Sequence, residues 1–279
     1  MNSSTAAPVW FITGASSGLG LSLARHGLRR GYRVVATARQ TAKLAALAAS
    51  APDRVLVHAL DVTVAAQAET AVAATLARFG RIDVLLNNAG YGIVGAVEET
   101  PDAEFRAQMD TNFFGAVSVT RAVLPAMRRQ RSGAIVNISS LGGQLSFGGY
   151  SAYSASKFAL EGMSEALAAE VASFGLKVLI VEPGAFRTAF AGEALKHMPV
   201  MEAYRDVVKW TREFTHGMHG TQAGNPDKAG AAIEQALASS PTPLRLQLGA
   251  DAVSAVRIHS EQMLKDLAAW EEVSLDVGF

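Results

Sequence analysis

Strand-length apolar runs alternate with Ala- and Leu-rich stretches of helical length along most of this chain, and few folds accommodate that alternation. Val9–Thr13, Arg33–Ala38, Val55–Leu60, Val84–Asn87, Ala134–Ser139, Lys177–Glu182 and Leu244–Leu248 read as strands. Near-continuous apolar runs of this kind suit a parallel sheet covered on both faces. Leu19–Arg30, Val64–Phe79, Ala103–Arg129 and Ala152–Phe174 read as helices, several of them closed by a glycine such as Gly31, Gly80 or Gly175. Each helix is then a crossover between parallel strands. The expectation is an α/β fold: a Rossmann-type, doubly wound, mostly parallel seven-stranded sheet with helices on both faces. A single domain spanning 1–279 is expected, because α/β folds reach this length around one core.

The alternation fails after Pro183. The segment 188–224 mixes Phe190, Met198, Met201, Tyr204, Trp210, Phe214 and Met218 with polar residues, and it is expected to form a helical lid over the carboxyl ends of the strands, where ligands bind in open sheets. Leu141, Leu145, Phe147 and Tyr150 would add to the same apolar pocket, with Arg187, Lys196, Arg205, Lys209 and Arg212 on the solvated outer face. The alternative is that these apolar residues only seat the lid on the body.

With 49% hydrophobic and 18% charged residues, the chain has ample material for a core and is not a candidate for disorder. Its formal net charge is zero and it has no basic run, so nothing supplies the electrostatic footprint of nucleic-acid binding. There is no cysteine, which excludes disulfides, thiolate metal ligands and cysteine nucleophiles, and no metal site is expected. Redox chemistry would have to come from a bound cofactor. The start MNSSTAAPVW lacks the basic and apolar regions of a signal peptide, and no later run is long enough to span a bilayer. The expected location is cytoplasmic, without a membrane partner.

The first strand runs directly into TGASSGLG, which places Gly14, Gly18 and Gly20 on the turn and at the start of the next helix. Glycine there permits a tight turn and lets backbone N–H groups approach a pyrophosphate at the helix's positive end. A tight turn without a ligand is the competing reading. At the end of the second strand, Ala38 removes the acid that would repel a 2′-phosphate and Arg39 supplies a cation able to hold one, unless Arg39 is simply a solvated loop residue. Asp61 is placed either to accept from an adenine amino group or to serve a turn or helix cap.

YSASK sets Tyr153 and Lys157 one turn apart on a helix face. An ammonium close to a phenol favours the phenolate, so the pair could move a proton at a carbonyl or alcohol oxygen while hydride moves to or from a nicotinamide. Taken alone, such a pair is as readily a surface pair.

Several motifs occur in order: TGASSGLG at 13–20, NNAG at 87–90, NISS at 137–140, YSASK at 153–157 and PGAFRT at 183–188. Together they make the stretch from Val9 to Thr188 resemble the short-chain dehydrogenase/reductase family. The resemblance implies an oxidoreductase with a catalytic tetrad of Asn112, Ser140, Tyr153 and Lys157, in which Tyr153 is the general acid/base, Ser140 orients the substrate oxygen and Asn112 anchors a relay water. Ser139 competes with Ser140, but strand neighbours face opposite sides, so only one of them points at the site. The resemblance further assigns Gly14, Ser16, Ser17, Gly18, Leu19 and Gly20 to the phosphate loop. Arg39, Asp61 and Val62 would meet the adenosine end, Asn88, Ala89 and Gly90 its ribose, and Tyr153 and Lys157 the nicotinamide ribose. Pro183, Gly184, Phe186 and Thr188 would hold the carboxamide side. Phe186 departs from the smaller residue usual in the family, and its ring is expected to narrow the pocket. The implied cofactor is NADP(H) rather than NAD(H). The implied partner is a small carbonyl or alcohol substrate, bulky and apolar, with a homodimer or homotetramer formed through Ala103–Arg129 and Ala152–Phe174. Rival readings are a relative acting on sugars and a non-catalytic dinucleotide sensor.

Overall fold

The structure is a computed structural model and describes residues 7–192 and 194–279. Seven strands form one sheet: β1 (Val9–Ile12), β2 (Arg33–Ala38), β3 (Val55–Ala59), β4 (Val84–Asn87), β6 (Gly133–Ile138), β7 (Leu176–Pro183) and β9 (Arg245–Leu248). Their order is β3-β2-β1-β4-β6-β7-β9. Every pairing is parallel. The strand order reverses direction between β1 and β4, and that is where a crevice opens at the carboxyl ends of an open sheet.

Successive strand residues feed opposite cores. Trp10 and Ile12, with Leu86, Val136 and Leu179, pack beneath α1 (Gly18–Arg29) and α8 (Pro226–Ala238). Val9 and Phe11, with Leu85, Ile135 and Val178, pack beneath α3 (Ala65–Phe79), α5 (Gly115–Gln130) and α6 (Ser151–Ala172). Gly80 ends α3 in the left-handed conformation, as its position predicted. The short α2 (Ala45–Ser50) follows β2.

The expected helix Ala103–Arg129 is interrupted. α4 (Asp102–Met109) and α5 are joined by a π-helical turn, Asp110–Phe114, which carries Asn112. The expected lid is also only partly helical. It contributes β8 (Leu195–His197), paired in parallel with β5 (Gly92–Val94), and then α7 (Arg205–Gly217). The chain closes with α9 (Ala250–Leu275), which the sequence reading did not anticipate. Among the described residues no helix is long and apolar enough to cross a membrane.

Candidate active site

The glycine turn is braced from below. Gly14 and Gly18 have φ of +64° and +52°, which side-chain-bearing residues rarely adopt. A Cβ on Gly20 would lie 2.4 Å from the Gly14 carbonyl oxygen, so glycine is required where α1 meets the loop. Thr13 Oγ1 accepts from the main-chain N–H groups of Asn88 and Ala89 at 2.9 and 3.0 Å. The Asn88 amide donates to the carbonyls of Thr13 and Gly14 at 3.0 and 3.1 Å, so this side chain is a strut under the loop. Ser17 caps α1 without a side-chain bond, and the first turn of α1 holds no acid. Its free N–H groups and positive end suit an anion, and the glycine cradle fits a pyrophosphate.

At the second strand Ala38 is buried, and exposed Arg39 makes no ion pair among the described residues. Asp61 Oδ1 accepts from Thr63 N and Thr63 Oγ1 at 3.0 and 2.7 Å, which is the turn role. Val62 is buried beside it.

The four polar residues named for the chemistry converge at the carboxyl ends of β4 and β6. Tyr153 and Lys157 stand buried near the start of α6, with the Lys157 ammonium 5.8 Å from the Tyr153 ring centre. Lys157 Nζ donates to the Ile138 carbonyl at 2.8 Å. Ser139 Oγ donates to Glu161 Oε1 at 2.6 Å, which engages it elsewhere. Ser140 Oγ accepts from Gly142 N at 3.1 Å and lies beside the Tyr153 phenol. Asn112 exchanges hydrogen bonds with the main chain of Tyr91 at 2.9 and 3.1 Å. It also donates to Ser156 Oγ at 3.0 Å, and Ser156 Oγ in turn donates to the Tyr153 carbonyl at 2.6 Å. Ser156 thus ties the π-helical turn to α6, and only its place inside YSASK hinted at it.

Burial pushes Tyr153 up to about 12, and the Ser140 hydroxyl pulls the other way. Burial pushes Lys157 down to about 8, while Glu161, one turn further along α6, opposes that shift. The expected depression of Tyr153 by Lys157 is therefore not present in the protein alone, because the ammonium is turned to the Ile138 carbonyl. Behind Lys157 lies a second feature the sequence did not disclose. Buried Glu161 and Glu182 share Arg245, whose Nε lies 3.1 and 3.2 Å from their carboxylates, and Gln247 donates to Glu182 at 2.8 Å. Burial and the neighbouring Glu161 carboxylate hold Glu182 near 7.

On the far side of the crevice, Pro183 pairs with Leu248 and Gly184 N donates to the Leu248 carbonyl at 2.8 Å. Asp251 Oδ2 accepts from Ala185 N at 2.6 Å and fixes the loop. Thr188 packs against Gly18, so the loop after β7 touches the glycine turn. The Phe186 ring lies against Gly224, and the rings beside Tyr153 are those of Phe190 at 5.7 Å and Tyr150 at 5.9 Å. The aromatic wall expected of Phe186 is thus supplied by Phe190. Trp210 stacks on Phe214 and is 59% exposed, so much of the apolar surface of α7 faces outward. Arg212, expected on the solvated face, is instead half-buried against the buried Glu99 carboxylate at 2.8 Å, where it pins α7 to the loop before α4. Its partner lies too far away in sequence to have been read.

The comparisons with known proteins agree with this geometry. The family model for short chain dehydrogenases matches residues 8–199. The chain is 41% identical to an oxidoreductase, BOA17, of Botryotinia fuckeliana, over 96% of this chain and 98% of that protein. It is 39% identical to a 3-ketodihydrosphingosine reductase of Bacteroides thetaiotaomicron, over 85% and 86% respectively. A short-chain dehydrogenase from Streptomyces avermitilis superimposes with a TM-score of 0.93 and 49% identity, covering 99% of this chain and 100% of that one. The chain belongs to the short-chain dehydrogenase/reductase family and is an oxidoreductase. Solved structures of the same fold hold NADP or NAD.

Proposed function

We propose that the protein is an NADP(H)-dependent oxidoreductase that interconverts a bulky, mainly apolar carbonyl compound and its secondary alcohol, with Tyr153 as general acid and base. The observation that carries this reading is the convergence of the Tyr153 phenol, the Ser140 hydroxyl and the buried Lys157 at the carboxyl ends of the sheet. A bound nicotinamide supplies hydride chemistry. Ser140 holds the substrate oxygen, and Tyr153, a neutral phenol at neutral pH, donates its proton to that oxygen during reduction. Lys157, mostly ammonium below about pH 8, supplies the cation that supports the phenolate left behind. Asn112, held by Tyr91 and Ser156, anchors the water through which Tyr153 regains its proton.

Exposed Arg39 beside Ala38, with no acid at that strand end, supports the choice of the phosphorylated nucleotide. The Phe190 and Tyr150 rings around Tyr153 support an apolar substrate, as does the relative named as a 3-ketodihydrosphingosine reductase. We take 1–279 as one catalytic unit that works in the cytoplasm as a homo-oligomer joined through α5 and α6.

The test is turnover of a panel of lipophilic ketones and alcohols with both nucleotides, in wild type and Tyr153→Phe. Loss of the ionisable oxygen should cost about 10²–10⁴-fold in kcat with nucleotide binding retained. A Tyr153→Phe enzyme within about threefold of wild type would remove tyrosine from the mechanism.

A further inference from the structure

Helix α9 leaves the body soon after it begins. Ala252 is its buried residue, and every residue from Ser260 to Phe279 is exposed. That free stretch is not polar. Met263, Leu264, Leu267 and Trp270 are each 59–64% exposed. Ser260, Met263, Leu267, Trp270 and Ser274 recur at alternating intervals of three and four residues, which places them in one stripe of α9 with the spacing of paired helices. A helix of this length gains its stability from packing an apolar face, and a contiguous exposed stripe marks an interaction surface. The Streptomyces avermitilis structure aligns over 99% of this chain, so α9 lies within the shared fold.

We propose that the stripe is covered by the same helix of a second copy of this chain, the two running antiparallel about a two-fold axis near Leu264–Asp266. In this arrangement Met263 faces the partner's Leu267, and small Ser260 faces the partner's Trp270, which leaves room for the indole. Arg257 on the flank meets the partner's Glu271, once at each end. The two copies of Asp266 approach near the axis, one like-charge contact against two opposite-charge pairs. A parallel pair would instead set Asp266 beside the partner's Glu271 along the seam and lose both Arg257 pairs.

Covering the stripe along its free helical length of about 24 Å removes on the order of 500 Å² from water on each copy. The two copies together bury about 1,000 Å², the area at which specific interfaces begin. A membrane is a poor occupant. Asp251, Glu261, Asp266, Glu271 and Glu272 outweigh Arg257 and Lys265, so an anionic lipid surface repels this helix. The surface is separate from α5 and α6 and does not depend on the reaction assigned above.

The experiment is sedimentation velocity on the full chain at micromolar concentration, comparing wild type with Leu267→Asp/Trp270→Glu. The double variant is expected to halve the wild-type mass while keeping its far-UV circular dichroism and its turnover per site. Because the chain has no cysteine, Met263→Cys combined with Leu267→Cys gives an independent readout and should yield a disulfide-linked dimer on oxidation. An unchanged mass in Leu267→Asp/Trp270→Glu overturns the proposal. So does a monomeric wild type, including one that floats with phosphatidylcholine vesicles. A halved mass without the cross-linked dimer also overturns it, since the stripe would then be seated on some other surface.

Discussion

Arg39 stands exposed at the carboxyl end of β2, and no side chain among the described residues competes for its guanidinium. One charge-assisted pair with a phosphate is worth about 1.5–3 kcal/mol. Arg39→Ala is therefore expected to raise the KM for NADPH and to shift nucleotide preference by about ten- to a hundredfold, read as kcat/KM with both nucleotides. Equal kcat/KM for NADPH and NADH in the wild type would overturn the choice of nucleotide. Residues whose meaning is local were legible in the sequence. Tyr153 and Lys157 share a helix face because of their spacing, and Ser140 rather than Ser139 faces the phenol because strand neighbours alternate. Residues whose meaning depends on a distant partner were not. Asn88 became a strut because Gly14 lies above it, and Arg212 is drawn in from solvent because Glu99 is there to receive it.

At the scale of elements, the strands of the main sheet were readable because each is a continuous apolar run between helices. β5 and β8 are too short for such a run to stand out. The π-helical turn was invisible because it uses residues that an uninterrupted helix also accepts, and only its extra residue re-aims Asn112 toward Tyr91. α8 did carry a signal, an Asn225 cap followed by Pro226 in the first turn.

Strand β7 bears a consequence for stability. Glu182 is held near 7, above its ordinary value of 4.5, so between those values the folded chain keeps a proton that the unfolded chain releases. The stability this group contributes is full below that window and is lost as pH rises through about 7. Glu182→Gln should flatten this slope, with urea midpoints at pH 5 and pH 8 lying closer together than in wild type. An equal fall in both proteins would show that Glu182 is not the group responsible.

Taken whole, the molecule builds its crevice from parts far apart in the chain: Thr13 receives Asn88 and Ala89, and Gly18 rests on Thr188. Neither contact exists until the strands between them are in place, and such long-range contacts form late. A ligand recognised only by the assembled crevice stabilises the folded state by mass action, about 2.7 kcal/mol at a hundredfold excess over its Kd. For a chain of this length that corresponds to a rise in Tm of roughly 5–10 °C. NADPH is expected to give a larger rise than NADH in a thermal melt, and an equal rise would speak against a role for the 2′-phosphate. The same geometry reaches into synthesis: a chain on the ribosome carries its glycine turn from early on, yet the loop that rests on it is fixed only once Asp251 has emerged and folded back onto Ala185, so the assembled crevice reports that translation has carried the chain past its last strand.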